Sequence, residues 1–304
     1  MKHLISCDQI KKEDLLSLLT LTDKIKNNPV FYTETLKNKV IATLFYEPST
    51  RTRLSFSAAA VRLGASLINT ENANENSSAT KGETLEDTIR IVQGYADAII
   101  LRHPDDEAAQ RAVQVATIPI INAGSGGKEH PSQGLLDLYT INTYKKRLDN
   151  LKIAIIGDLK YGRTIHSLLK LLTLFDGIEI HALSVKELEL PPLFENLLKK
   201  RNAKYTKHTT LNTLPKDVDI IYQTRIQKER LQNEGIQASA ASFIIDKKQF
   251  DTFSADTYLM HPLPRIEEMN SDIDNDPRAI FFSQAHNGMY VRMAVLYQCL
   301  CENK

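Results

Sequence analysis

The stretch KVIATLFYEPSTRTRLSF, residues 39–56, decides how the chain is read. Val40 to Phe45 form an apolar run that stops at Glu47-Pro48, and Ser49-Thr50-Arg51-Thr52-Arg53 stand before a new apolar pattern. The run predicts a buried strand and the pattern after it an amphipathic helix, the opening of a parallel α/β unit. The hydroxyls and arginines lie at the handover, where a first helical turn leaves N–H groups unpaired and carries partial positive charge. Two readings fit them equally. Ser49, Thr50 and Thr52 beside the planar fork of Arg51 make a phosphate cradle. Alternatively, a Ser/Thr N-cap starts an ordinary helix whose arginines extend into water. Arg53, on a different helix face, reads as structural.

The same alternation runs along most of the chain, predicting an α/β fold with parallel sheets. Strands are expected at 39–45, 65–70, 97–102 and 118–122, with helices near 53–63, 84–95 and 105–115. Gly64 suits the left-handed residue that ends a helix. A long helix follows in HPSQGLLDLYTINTYKKRL, with Leu135, Leu138 and Ile141 on one face. A domain boundary is expected near 145–150, where LDNLK leads into a fresh strand. Beyond it LKIAIIG, GIEIHAL, DVDIIYQT, FIID and TYLMHP read as strands, and helices are expected near 162–174, 191–201 and 286–302. At 304 residues and roughly 150 per domain, two domains are the expectation.

Composition narrows the function classes. Apolar residues at 42% and charged residues at 25% belong to a soluble globular protein able to bury real cores. Lys and Arg number 38 against 37 Asp and Glu, and a net charge of +1 gives no global reason to bind nucleic acid or an anionic membrane. Three cysteines, Cys7, Cys299 and Cys301, are too few and too odd for a disulfide framework and fit a reducing compartment. Cys299-x-Cys301 has no second pair or histidine cluster to complete a zinc site, so both read as packing residues on a terminal helix. The N-terminus lacks the apolar core of a signal peptide, and no run approaches the length of a transmembrane helix. The expected location is cytoplasmic.

Ligands of open parallel sheets bind beyond the carboxyl ends of strands, and these strand ends share one character in the residues they carry. They deliver Ser49, Thr50, Arg51 and Thr52; Arg102 and His103; His130 and Gln133 from NAGSGGKEHPSQ; Arg163 from GDLKYGRT; Arg225 and Gln227 from QTRIQ; and the loop HPLPR. Positive and hydrogen-bond-donating groups dominate, without paired carboxylates, as a site for an anion requires. Singly, each has an ordinary alternative: Arg102 as a strand-end charge, His130 as a helix-terminal residue, Lys81 as a solvated lysine. Together they imply a charged ligand, because several buried arginines without counter-charge are costly. GDLKYGRT differs from a P-loop in carrying arginine for lysine, and no G-x-G-x-x-G is present, so nucleotide binding is not supported. Two polar stretches, 71–83 and 225–239, interrupt the alternation, and long polar loops in compact α/β domains are often functional.

Taken in order, FYEPSTRTRLSF, KGETLEDT, LRHP, HPSQGLLDLYTI, GDLKYGRTIHSL, TRIQKER and HPLPR resemble the aspartate/ornithine carbamoyltransferase family over nearly the whole chain. The resemblance favours the aspartate branch. Ornithine enzymes carry a Ser-Met-Gly motif and a cysteine in the loop that reads HPLPR here, whereas Arg225 and Gln227 suit a dicarboxylic acid. It implies a carbamoyl-phosphate-binding domain at 1–145, an aspartate-binding domain at 146–285, and a helix at 286–304 that packs back on the first domain. It further implies a homotrimer with shared active sites, leaves open a larger assembly with regulatory chains, and calls for no metal or organic cofactor. The reaction implied is the committed step of de novo pyrimidine biosynthesis: carbamoyl transfer from carbamoyl phosphate to the amine of L-aspartate.

On that resemblance Ser49, Thr50, Arg51 and Thr52 hold phosphate, and Arg102, Thr52 and His130 contact the carbamoyl oxygen. Gln133 and the carbonyls of Pro262 and Leu263 orient the carbamoyl nitrogen. Arg163, Arg225 and Gln227, with Leu263, bind aspartate, while Ser77 and Lys81 enter from a neighbouring subunit and Lys81 reaches both substrates. Thr80 stands where some relatives have a second lysine. LQNEGIQAS after Arg230 lacks the Pro and Glu-Tyr pair of allosterically regulated relatives. Glu47 and Arg230 read equally as an ion pair steadying the closed domains or as two surface charges.

Overall fold

Val40–Phe45 is a fully parallel-paired strand, β1, in the computed structural model, which describes residues 1–73, 78–226 and 243–302. The chain divides into two compact units, Met1–Leu136 with His286–Lys304, and Asp137–Ala285. In the first unit a helix α1 (Lys12–Asn27) precedes β1. There follow α2 (Thr50–Arg62), β2 (Ser66–Glu71), α3 (Leu85–Val92), β3 (Ala98–His103), α4 (Ala108–Val115) and β4 (Ile120–Ser125); α5 (Pro131–Lys145) starts in this unit and continues into the second. The strands form one parallel sheet in the order β2-β1-β3-β4. The residues of β1 and β3 are buried almost without alternation, the pattern of parallel strands covered on both faces. Burial of side chains such as Phe45, Ile99 and Leu101 contributes about 1.5–3 kcal/mol each. Leu4 bridges to Ile121 in parallel and closes the β4 edge.

The second unit contains β5 (Lys152–Ile156), α6 (Arg163–Leu172), β6 (Glu179–Leu183), α7 (Pro192–Lys200), β7 (Lys204–His208) and β8 (Ile220–Gln223). The single turn α8 (Lys247–Phe250) and β9 (Tyr258–Met260) complete its core. Its sheet is also parallel, ordered β7-β6-β5-β8-β9. The last helix, α9 (Phe281–Cys301), carries the chain back into the first unit. There Arg292 lies over the Phe56 ring at 5.0 Å, Asn287 accepts from Lys26 Nζ at 2.9 Å, and Tyr297 meets Tyr32 edge-on at 5.8 Å. The fold is thus α/β with two parallel sheets flanked by helices and the C-terminal helix packed on the first unit.

Several expectations needed adjustment. α2 begins at Thr50 rather than 53, so the hydroxyls and Arg51 belong to its first turn. FIID is not a strand: only Ile245 bridges, to Met269. Lys204–His208, unread in the sequence, is the edge strand β7; its exposed lysines hide the apolar signal. Among the described residues no helix is long and apolar enough to cross a membrane. Cys299 is buried, which pushes its thiol up to about 12, as a packing residue would show.

Candidate active site

Strand order fixes where ligands can be held. In the first sheet the order reverses between β1 and β3, and in the second between β5 and β8. The carboxyl ends flanking such a reversal open a crevice between diverging connections. Ser49–Thr52 follow β1 and Arg102 ends β3; Arg163 follows β5 and Arg225 follows β8. The predicted cationic residues therefore occupy both switch points.

In the first unit Ser49 precedes α2 with extended backbone (φ −159°, ψ 97°), and its side chain makes no capping bond. The ordinary N-cap alternative is thereby not realised: the Ser49 hydroxyl leaves the first-turn N–H groups of α2 to other partners. Thr50 and Arg51 are exposed, while Thr52 is buried. Arg53 is tied to Glu71 at 3.0 Å, as its structural reading required. Thr52 Oγ1 lies 3.3 Å from His130 Nε2, and Ser132 Oγ lies 3.4 Å from the other ring nitrogen. His130 precedes α5, and its carbonyl accepts from the N–H groups of Gln133 (2.9 Å) and Gly134 (3.1 Å). The turn that delivers it is pinned from behind by Glu129, whose carboxylate accepts from Ser6 Oγ (2.9 Å) and Cys7 N (2.7 Å).

Arg102 pairs with Phe45 in register, but the β3–β4 register shifts between Leu101 and His103. Such irregularities re-aim side chains near functional sites. Its Nε lies 3.3 Å from Glu47 Oε2. Glu47 lies on the short turn straight after β1, which brings it to Arg102; Arg230, the other member of the Glu47–Arg230 reading, falls outside the described residues. Gln133 is largely buried on the first turn of α5. Lys81 is exposed at the end of a 3-10 turn, Ser78–Lys81. Ser77 lies outside the described residues.

In the second unit Gly157 holds φ +115° directly after β5, and a Cβ there would stand 2.3 Å from the Thr224 carbonyl. Only glycine lets the two strand ends approach so closely. The turn then folds on itself, with the buried Asp158 accepting from Tyr161 N at 2.9 Å, and Gly162 leads into α6. A carboxylate that occupies one of the turn's own N–H groups differs from a P-loop, whose N–H groups stay open to phosphate. Arg163 and Arg225 are both half-buried, and Gln227 lies outside the described residues. Pro262 and Leu263 are half-buried beyond β9, with Leu263 at φ +54°. Arg265 of the same loop pairs with Asp274 (Nη2–Oδ2 2.5 Å) and lies over the Phe281 ring, so it serves the fold.

Sequence reading missed the acids and amides behind these residues: Glu129, Asp137, Gln284 and Glu268. Asp137, an acid inside the apolar GLLDLYTI, was the one available signal. No group of histidine, cysteine and carboxylate side chains that could hold a metal occurs among the described residues.

Two parallel sheets, each with hydrogen-bond donors and cations at its switch point, define an α/β protein that binds anionic small molecules. The comparisons specify it further. Residues 2–143 match the carbamoyl-phosphate-binding domain of aspartate/ornithine carbamoyltransferases, and 149–299 match their Asp/Orn-binding domain. The chain belongs to the aspartate/ornithine carbamoyltransferase family. It is 46% identical over 298 residues to the aspartate carbamoyltransferase catalytic subunit of Lachnoclostridium phytofermentans, covering 97% of each chain. The structure of the catalytic subunit of Methanocaldococcus jannaschii aspartate transcarbamoylase superposes with a TM-score of 0.92 at 45% identity, covering 100% of this chain and 99% of that one. Aspartate transcarbamoylase from Trypanosoma cruzi, solved with carbamoyl phosphate and aspartate, gives 0.90 at 36% identity, covering 99% and 96%.

Proposed function

We propose that this chain transfers the carbamoyl group of carbamoyl phosphate to the amino group of L-aspartate, giving N-carbamoyl-L-aspartate and phosphate. The observation that carries the reading is the buried Thr52–His130 contact, set beside the first turn of α2 and on the sheet whose switch point ends in Arg102. Those groups are donors suited to an oxygen that gains charge. The relatives named above supply the reaction class, and the T. cruzi enzyme binds both substrates.

The aspartate amine attacks the carbamoyl carbon, and negative charge accumulates on the carbamoyl oxygen. Thr52, Arg102 and His130 stabilise it as an oxyanion hole, where one donor is worth about 2.7–4 kcal/mol. The carbon–oxygen bond to phosphate then breaks. The leaving phosphate takes the amine proton and departs into the cradle of Ser49, Thr50, Arg51 and Thr52. Gln133 and the carbonyls of Pro262 and Leu263 orient the carbamoyl nitrogen. Arg163, Arg225 and Gln227, with Leu263, hold the aspartate, its carboxylates meeting the two arginines. Two cationic side chains suit a dicarboxylate better than ornithine, whose second amine would be repelled.

The same reading assigns residues 1–145 to carbamoyl phosphate, 146–285 to aspartate and 286–304 to the returning helix, and places the enzyme in the cytoplasm as a homotrimer. Ser77 and Lys81 then come from a neighbouring subunit. The phosphonate-linked bisubstrate analogue N-(phosphonacetyl)-L-aspartate tests it. Inhibition competitive with carbamoyl phosphate is expected, and absence of binding would remove the reading.

A further inference from the structure

The loop after β9 is braced by a line of polar side chains for which the reaction above has no direct use. Asp137 is fully buried; its Oδ1 accepts from Gln284 Nε2 and its Oδ2 from the Tyr222 hydroxyl, both at 2.6 Å. The Gln284 carbonyl oxygen in turn accepts from His261 N at 2.9 Å. On the His261 ring, Nδ1 accepts from Leu263 N at 2.8 Å, and Nε2 lies 2.8 Å from Glu268 Oε1. Glu268 also accepts from Ile266 N at 3.2 Å. A ring nitrogen that accepts an N–H carries no proton, so the proton resides on Nε2 and is donated to Glu268. One tautomer is thus selected from both sides.

The brace acts on an unusual backbone. Leu263 adopts φ +54°, left-handed space in which an L side chain crowds its own backbone. Strain of this kind persists only where surroundings over-determine it, and it clusters at ligand clamps. His261 is 1% exposed and Glu268 5%, so neither faces solvent or a substrate directly. Their work is confined to the loop.

We infer that His261 is a positioning residue: its neutral ring, oriented by Glu268, on a backbone held by the Asp137–Gln284 pair, sets the Leu263 backbone so that the Pro262 and Leu263 carbonyls point at the carbamoyl nitrogen. The inference rests on the function proposed above. It separates the two ends of one substrate, because the brace touches the carbamoyl acceptors and not the phosphate cradle.

The test compares H261Q, H261N and E268Q with the wild-type enzyme, measuring affinity for carbamoyl phosphate and, separately, for inorganic phosphate. H261Q carries its acceptor oxygen one methylene further out than the ring Nδ1, away from Leu263 N, and is expected to lose about 10–100-fold in kcat/KM for carbamoyl phosphate. Its affinity for inorganic phosphate stays within about twofold, because the phosphate cradle does not touch the brace. H261N retains an acceptor oxygen two residues before Leu263 and recovers part of the loss. E268Q, a near-isosteric change, shifts the carbamoyl phosphate to phosphate affinity ratio in the same direction and carries the test should H261Q not fold. Wild-type kinetics in H261Q, parallel loss of both affinities, or an unchanged ratio in E268Q would overturn the inference alone. Wild-type protein that binds carbamoyl phosphate no better than phosphate would overturn the underlying reading, and this one with it.

Discussion

Thr52 Oγ1 and His130 Nε2 stand 3.3 Å apart although 78 residues separate them in the chain. Thr52 arrives on the first turn of α2 and His130 on the turn before α5, and both are buried. Removing one member tests whether this pair serves chemistry or packing. Thr52→Val keeps the volume and deletes the hydroxyl. A fall in kcat of about 10²–10³-fold with little change in the aspartate KM is expected from steady-state kinetics. A change in thermal midpoint without loss of kcat would assign the pair to the fold.

Arg51 and Arg53 are expected to separate cleanly. Arg51→Ala should raise the KM for carbamoyl phosphate about 10–100-fold, the range of a charge-assisted hydrogen bond of about 1.5–3 kcal/mol. Arg53→Ala breaks only the half-exposed pair with Glu71. It should lower stability by less than about 1 kcal/mol and leave that KM unchanged. Initial-rate measurements beside urea melts distinguish the two.

Much of this arrangement was legible because it is local. VIATLF ends in a turn whose hydroxyls and arginine follow within a few residues, and strand ends in parallel sheets collect ligands wherever they occur. The start of α2 was misplaced because Thr50 and Thr52 interrupt the apolar periodicity that marks a helix. β7 was missed because KYTKH, an edge strand, buries none of its side chains fully. The brace behind HPLPR was invisible for another reason. Asp137 meets Tyr222 85 residues away and Gln284 147 away, contacts that only the packed sheet brings together. The Glu47–Arg102 pair was not read from the sequence, because only the register of β1 against β3 puts the two side by side.

Gly157 offers a test of the second sheet's geometry. Gly157→Ala forces a side chain into φ +115° and against the Thr224 carbonyl. A loss of about 1–3 kcal/mol or more is expected in chemical denaturation, with aspartate affinity falling as β5 and β8 are pushed apart. An unchanged midpoint would show that the strand ends have more room than their approach implies.

The edge of the same sheet predicts a pH dependence. His181 Nδ1 and His208 Nε2 are 3.0 Å apart on β6 and β7. Both rings are held below the ordinary value of 6.5, chiefly by burial and, for His181, also by the proximity of His208. With folded values depressed, the unfolded chain binds protons more readily. Stability is therefore full above about pH 6.5 and declines as pH falls below it. Thermal melts across that range should show the decline, and the double variant H181Q/H208Q should flatten it. An equally steep slope in the variant would place the acid sensitivity elsewhere.

The most direct measurement is product formation by purified protein given carbamoyl phosphate and, in parallel, L-aspartate or L-ornithine without added metal. The account predicts N-carbamoyl-L-aspartate accumulating with release of phosphate, and no citrulline above background. Turnover with ornithine, or none with aspartate in protein that still binds the bisubstrate analogue, would contradict it.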